Sequence, residues 1–277
     1  MMLIHEPKLY QETKLEEIPR GDQRTREICN TLNTFESISL AEMKENRLMK
    51  RVDTKYLFHE SLLPDILHNL SNDYFILDVD GVRLQRYKTR YYDTPDFELY
   101  RQHHNGQRDR FKLRVRSYLN SEAEFLEVKR KDNRGRTQKS RLLSDNLPSG
   151  QSPEVRSFLE SVFPFDYEAY VPKIANSFYR LSLVSKHDQE RLTIDLDLRF
   201  LSPSSQFALP GVVITEVKQP RFSVHSAFIQ QMRQAGRRPV SFSKYCVGVA
   251  LAYPYIKRNK FKPLLIDIQR LILGGQN

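Results

Sequence analysis

The run Arg110-Phe111-Lys112-Leu113-Arg114-Val115-Arg116 alternates four bases with three apolar side chains. A strand sends successive side chains to opposite faces, so this stretch reads as a strand with one basic face and one apolar face. The pattern recurs. Leu126-Glu127-Val128-Lys129 sets a charged pair against two aliphatics, and Arg191–Leu198 sets an Arg, a Thr and two Asp against four aliphatics. Arg51, Asp53 and Lys55 share a face, as do Lys139 with Arg141 and Glu216 with Lys218. For any one strand the simpler reading is a half-exposed sheet, polar side out. Here the polar positions are ionised in strand after strand, bases dominate, and Glu127 and Glu216 each sit two residues from a lysine.

Strands are expected at Leu48–Phe58, Gln85–Asp93, Arg110–Tyr118, Glu124–Lys131, Thr137–Leu143, Asn176–Val184, Glu190–Phe200 and Gly211–Gln219, each bounded by polar or Pro/Gly breaks. Helices are expected at Glu60–Leu70, Pro153–Phe163, His225–Ala235 and Ser243–Ala252, with a turn at Asp132–Gly135 and a loop at Ser202–Ser205. Residues 1–46 read as a polar leader with a short helix around Gln23–Leu32, residues 47–252 as the main domain, and 253–277 as a tail with an amphipathic segment at Leu264–Leu273. Eight strands with few helices predict an α+β fold, an antiparallel barrel of about eight strands or a strongly curved sheet, with a charged face inside and a few flanking helices.

The chain of 277 residues carries 44 Lys and Arg against 34 Asp and Glu, a formal net charge of +10, so an anionic partner is expected. Two cysteines, Cys29 and Cys246, exclude a disulfide framework and a cysteine-based zinc site. No apolar run approaches a membrane span, and the start lacks a secretory signal, so the expected compartment is the cytosol. A barrel with bases lining its lumen cannot stay dry and empty, because buried like charges repel unless an anion fills the space. Phosphate chains suit such a lumen: arginine forks bind phosphate oxygens in pairs and lysines act as point charges. Acids set among the bases suit a divalent metal shared with phosphates.

Taken in order, these residues resemble the VTC-type polyphosphate polymerase domain, a branch of the triphosphate tunnel metalloenzymes. The likeness is carried by Arg51-x-x-x-Lys55-Tyr56, Tyr91-Tyr92-Asp93-Thr94 with Leu99-Tyr100-Arg101, Arg114-x-Arg116, Glu127-x-Lys129, Lys139-x-Arg141, Tyr179-Arg180, Arg191-x-Thr193-Ile194-Asp195, Glu216-x-Lys218 and Ser243-Lys244-Tyr245. It runs from about Arg47 to Gly248. Each piece alone is weak, and the ordered set is specific. The resemblance implies that Lys244, Lys218 and Arg180 act at the reacting end. It implies that Arg51, Lys55, Arg114, Arg116, Lys129, Lys139, Arg141, Arg191 and Ser243 bind phosphate or nucleotide, and that Glu216 holds Mn2+ or Mg2+. It also implies an antiparallel tunnel barrel of about eight strands with a charged lumen, and transfer of the γ-phosphate of ATP to a growing inorganic polyphosphate chain.

Hydrolytic relatives carry Glu-x-Glu-x-Lys on the first strand, where this chain has Arg51-Val52-Asp53-Thr54-Lys55. Arg51 in place of the first acid removes a metal ligand and adds a phosphate ligand, which weakens the case for a two-metal triphosphatase. Eukaryotic relatives sit in larger membrane complexes, so coupling to translocation is expected to need a separate membrane-protein partner. The alternatives are a hydrolase of tripolyphosphate or nucleoside triphosphates, and a sensor of polyphosphate or nucleotide without catalysis. Nucleic acid is not expected as a partner, because no known motif appears and the aromatics do not interleave with the bases as a stacking platform. Tyr91 and Tyr92 read as strand packing, Asp195 and Asp197 as acids that orient basic neighbours, and His225 as a helix-start residue. His103 and His104 read as polar-loop residues without a third metal ligand.

Overall fold

The computed structural model describes residues 28, 30–45, 51–143 and 152–274. Eleven strands form one sheet: β1 (Ser37–Ile38), β2 (Val52–His59), β3 (Tyr74–Leu77), β4 (Gln85–Asp93), β5 (Arg110–Tyr118), β6 (Ala123–Lys131), β7 (Thr137–Leu143), β8 (Val171–Ser185), β9 (Arg191–Leu201), β10 (Gln206–Ala208) and β11 (Val212–Gln219). Its main path runs β2-β11-β9-β8-β4-β5-β6-β7 and is antiparallel throughout. All eight expected strands lie on this path. Sequence reading missed the short β1, β3 and β10. β1 pairs with β3 in parallel, and β3 joins β8.

Among the described residues the path is not closed by backbone pairing, since β2 and β7 end it without bonding each other. The sheet curls instead. A single cavity is lined both by Asp53–Lys55 of β2 and by Lys129, Lys131 and Thr137 of β6 and β7, across that seam. The curl uses bulges between Ser177 and Tyr179 of β8 and between Tyr91 and Tyr92 of β4.

The helices are α1 (Leu40–Glu45), α2 (Leu63–Leu70), α3 (Glu98–Asn105), α4 (Pro153–Val162), α5 (Ala227–Gln234), α6 (Lys244–Ala252) and α7 (Lys262–Gly274). Two apolar clusters cover the convex side of the sheet. One packs Leu63, Ile66, Leu67 and Leu70 of α2 and Phe228, Ile229 and Met232 of α5 against Tyr56, Phe58, Leu181, Leu192 and Ile194. Leu32 and Phe35, from the stretch expected to be a leader, join it. The rest of the Gln23–Leu32 helix expectation falls largely outside the described residues; residues 28 and 30–32 are helical. The other cluster sets Val155 and Leu159 of α4 on Phe111, Leu113, Val115, Leu126 and Val128, the apolar half of the β5 alternation.

The third cluster lies on the concave side, so that face is not ionised along its whole length. Leu57, Phe178 and Ile214 share their strand faces with Lys55, Arg180 and Glu216, yet they pack around α6. This helix is apolar on every side, with Tyr245, Cys246, Val247, Val249 and Ala250 buried, as a fully enclosed helix must be. Gly248 permits the contact, because a Cβ there would meet the Phe200 ring at 2.7 Å. The amphipathic tail forms α7, whose Ile268 and Leu271 are buried in the same cluster. One end of the concave face is thus an apolar plug and the other is ionised.

Candidate active site

Three carboxylates organise the ionised half. Glu127 of β6, fully buried, accepts from Arg114 of β5 at 2.8 Å (Nε) and 2.7 Å (Nη2), and pairs with Lys139 of β7. Burial alone would raise its pKa, but Arg114, Arg116 and Lys139 outweigh it and hold the carboxyl down to about 2. Asp195 of β9 takes a bidentate fork from Arg180 of β8, at 2.6 Å and 2.8 Å, and also pairs with Lys244 at the start of α6. Here too burial is outweighed by Arg180 and Lys244, and the pKa falls to about 2. Glu216 of β11 pairs with Lys218 and, at 3.4 Å, with Lys55 of β2. Those two lysines outweigh burial and hold Glu216 well below the ordinary range. Asp195 therefore orients two bases, as read from the sequence.

Aromatic rings set the directions of these bases. Arg180 lies over Tyr87 and Phe178, at 5.1 Å and 5.2 Å, and the Lys244 ammonium stands 4.3 Å from the centre of Phe178. Tyr91 stacks on Tyr245, 5.1 Å between ring centres, and its hydroxyl accepts from Arg114 at 3.3 Å. Packing is thus its main role, with the hydroxyl also facing the ionised half. Asp93, where β4 ends, accepts from the backbone amides of Thr94, Leu99 and Tyr100 and from the Tyr245 hydroxyl, so it anchors α3 and α6 together. Phe97 precedes α3 in the left-handed region, φ 60°, and provides no side-chain cap; the Asp93 carboxylate serves instead.

The seam between β2 and β7 holds a cavity of about 450 Å3. Lys55, Arg110, Lys112, Lys129 and Lys131 line it, and Asp53 is the one acid among its lining residues. Lys129 makes no hydrogen bond or ion pair among the described residues. Burial first, then Lys112, Lys55 and Arg114, push its pKa down to about 7 despite Glu216. Lys112 donates to Ser243 Oγ at 2.9 Å and is pushed down to about 8, chiefly by burial. Ser243 also caps α6 by accepting from the Cys246 amide, so the residue that starts the helix also fixes a lumen base.

Of the residues picked from sequence, Lys55, Arg114, Arg116, Lys129, Lys139, Arg180, Glu216, Lys218, Ser243 and Lys244 converge on this concave half. Three lie at its margins. Arg51 is exposed, pairs with Asp53 at 3.1 Å and precedes β2. Arg141 is exposed, with its guanidinium 4.9 Å over Phe125. Arg191 donates to the Met43 carbonyl of α1. Four basic or imidazole lining residues were not among the residues picked from sequence: His103, Arg110, Lys112 and Lys131. Lys112 was legible, since it sits in the alternation between Arg110 and Arg114. His103 was not: it lies on α3 rather than in a loop, and only the tertiary fold brings that helix to the cavity.

A curled antiparallel sheet gathers bases around isolated carboxylates on its concave face, an arrangement with the charge to attract polyanions. The VTC domain family profile matches residues 50–253. The chain belongs to the VTC domain family, which ties it to polyphosphate and triphosphate chemistry. Solved structures resemble the chain at low identity. A candidate adenylate cyclase from Bacillus halodurans is 15% identical, covering 70% of this chain and 94% of its own, with a TM-score of 0.45. A candidate adenylate cyclase from Vibrio parahaemolyticus is 14% identical, covering 73% and 99%, with a TM-score of 0.43. A candidate adenylyl cyclase from Hippeastrum with a dominant triphosphatase activity is 14% identical, covering 73% and 96%, with a TM-score of 0.46. No curated protein matches the sequence. No helix among the described residues is long and apolar enough to cross a membrane.

A divalent metal is expected in this family. Among the described residues no group of three or more His, Cys, Asp or Glu could hold one. The donor set still fits a metal of the Mg2+ type, which binds through one or two carboxylates and takes its remaining ligands from phosphates and water. Glu216 would be that carboxylate; in this structure it is paired with Lys55 and Lys218.

Proposed function

We propose that the protein is an ATP-dependent polyphosphate polymerase that transfers the γ-phosphate of ATP to a growing inorganic polyphosphate chain inside its ionised lumen. The observation that carries this reading is the convergence of Arg114, Arg116, Arg180, Lys55, Lys129, Lys139, Lys218 and Lys244 around three carboxylates on one concave face. The nucleophile is a terminal phosphate oxygen of the acceptor chain, already ionised and in need of no general base. It attacks the γ-phosphorus of ATP; the new P–O bond forms as the bond to the β-phosphate oxygen breaks, and ADP leaves with that oxygen. Such a transfer asks for alignment and for charge to be offset as it moves to the leaving oxygen.

Lys244 and Arg180, held by one carboxylate, bear on the transferred group; Lys218 and Lys55 bear on the phosphates near Glu216. Arg114, Arg116 and Lys139 hold the chain along the wall. Lys129 and Ser243 meet it at the seam, and Arg51, Arg141 and Arg191 guide it at the margins. Mn2+ or Mg2+ on Glu216, when bound, would supply further neutralisation of phosphate oxygens.

Incubation of the full chain with ATP and Mn2+ tests the reading. Long chains resolved on a gel, with ADP released in step, are expected. Phosphate release from tripolyphosphate without chains would instead identify a hydrolase, and binding without turnover a sensor.

A further inference from the structure

The seam cavity is lined by one histidine, and none of the three carboxylate clusters uses it. His103 of α3 lines it beside Arg110 and Lys112 of β5, Lys55 and Asp53 of β2, and Lys129 and Lys131 of β6. Its ring lies against Phe261, 6.2 Å between centroids. Nδ1 is buried and has no hydrogen-bond partner. Nε2 also has no partner among the described residues, and it is not enclosed.

We propose that His103 is a further ligand-contacting residue of this cavity, presenting its Nε2–H to a phosphoryl oxygen of a bound polyphosphate or nucleoside triphosphate. The inference rests on the triphosphate reading above and extends it to a residue outside the strands. A neutral imidazole has one N–H, and a buried N–H without a partner is costly, so the proton belongs on Nε2 rather than on the enclosed Nδ1. Burial first, then Lys112, Arg110, Lys55 and Lys131, hold the ring neutral by pushing its pKa down to about 2. Neutrality has a use here. Another cation would add repulsion to a cavity that already gathers five bases, whereas a neutral N–H adds a contact without it. When a polyanion offsets those cations, the ring binds a proton more readily and the contact strengthens.

The test is 15N spectroscopy of the full chain labelled at histidine, with H103Q identifying the His103 signals, in metal-free buffer. Without ligand the ring is expected as the Nε2–H form, with no titration between about pH 6 and about pH 8. Saturating tripolyphosphate should shift both ring nitrogens. H103Q, which keeps a donor but cannot titrate, should bind tripolyphosphate within about twofold of the unaltered chain, and H103F about 3- to 10-fold more weakly. A chain that binds tripolyphosphate while the His103 signals stay fixed, or while folded H103F binds unchanged, overturns the proposal. A wild-type chain that binds no tripolyphosphate overturns the triphosphate reading beneath it.

Discussion

The wall around Glu127 and Asp195 and the seam around Lys129 are built from the same alternating strands, yet their electrostatics differ. In the wall each buried acid is shared by two bases: Arg114 and Lys139 on Glu127, Arg180 and Lys244 on Asp195. Those acids titrate far below their ordinary range. In the seam five bases face Asp53, and the lysine pKa values fall to about 7 and about 8. The wall is therefore complete as a folded structure, with its geometry set before any ligand arrives. The seam is held together by covalent connection and surrounding packing against its own repulsion. The difference separates what holds the tunnel in shape from what waits for an anion.

Breaking the wall should have the largest effect. Glu127→Gln leaves Arg114 and Lys139 without their shared acid and is expected to lower stability by about 3–5 kcal/mol, read by urea unfolding. A change under about 1 kcal/mol would mean that the wall is no better set than the seam. Next comes Lys244→Ala, expected to retain the fold and lose about 2–4 kcal/mol of transition-state stabilisation, roughly 10²- to 10³-fold in turnover. Near-normal turnover removes Lys244 from the reacting end.

The seam should answer with the opposite sign. Lys129→Met removes an unpaired, half-buried charge, so the ligand-free chain should gain up to about 1 kcal/mol in stability while tripolyphosphate affinity drops about tenfold. Loss of stability in this variant would show that Lys129 is compensated in the empty protein after all. The smallest effect sharpens the contrast by pH. Lys129 and Lys112 have folded pKa values below their unfolded ones, so the unfolded chain binds more protons between about pH 7 and about pH 10. Stability of the ligand-free chain should rise with pH across that window and flatten once tripolyphosphate is bound. Glu127 and Asp195 have lowered pKa values, so their contribution is lost only as the pH falls below about 4.

Legibility followed the length scale of each signal. Arg114, Arg116, Glu127 and Lys129 were found because a period of two is written in consecutive residues. The short β3 and β10 carried too few residues for a period to show. Lys112 shared the β5 alternation and was passed over because no second motif drew attention to it. His103 had no local signal: helix α3 places it against Lys112 only because Asp93 and Gly106 fix where that helix starts and stops. Arg51, Arg141 and Arg191 have the right period, but they stand just before β2, on the edge strand β7 and at the first residue of β9, at the rim of the common space.

Sequence alone determined the strands, their two faces and the sign of the charge on one of them, because side-chain alternation is a local property of an extended chain. Tertiary structure decided which half of the concave face is plugged by α6, which bases share an acid, and where the sheet stays open between β2 and β7. Those outcomes depend on distances between residues far apart in the chain, and Coulomb energy and burial are set by such distances rather than by order along the backbone.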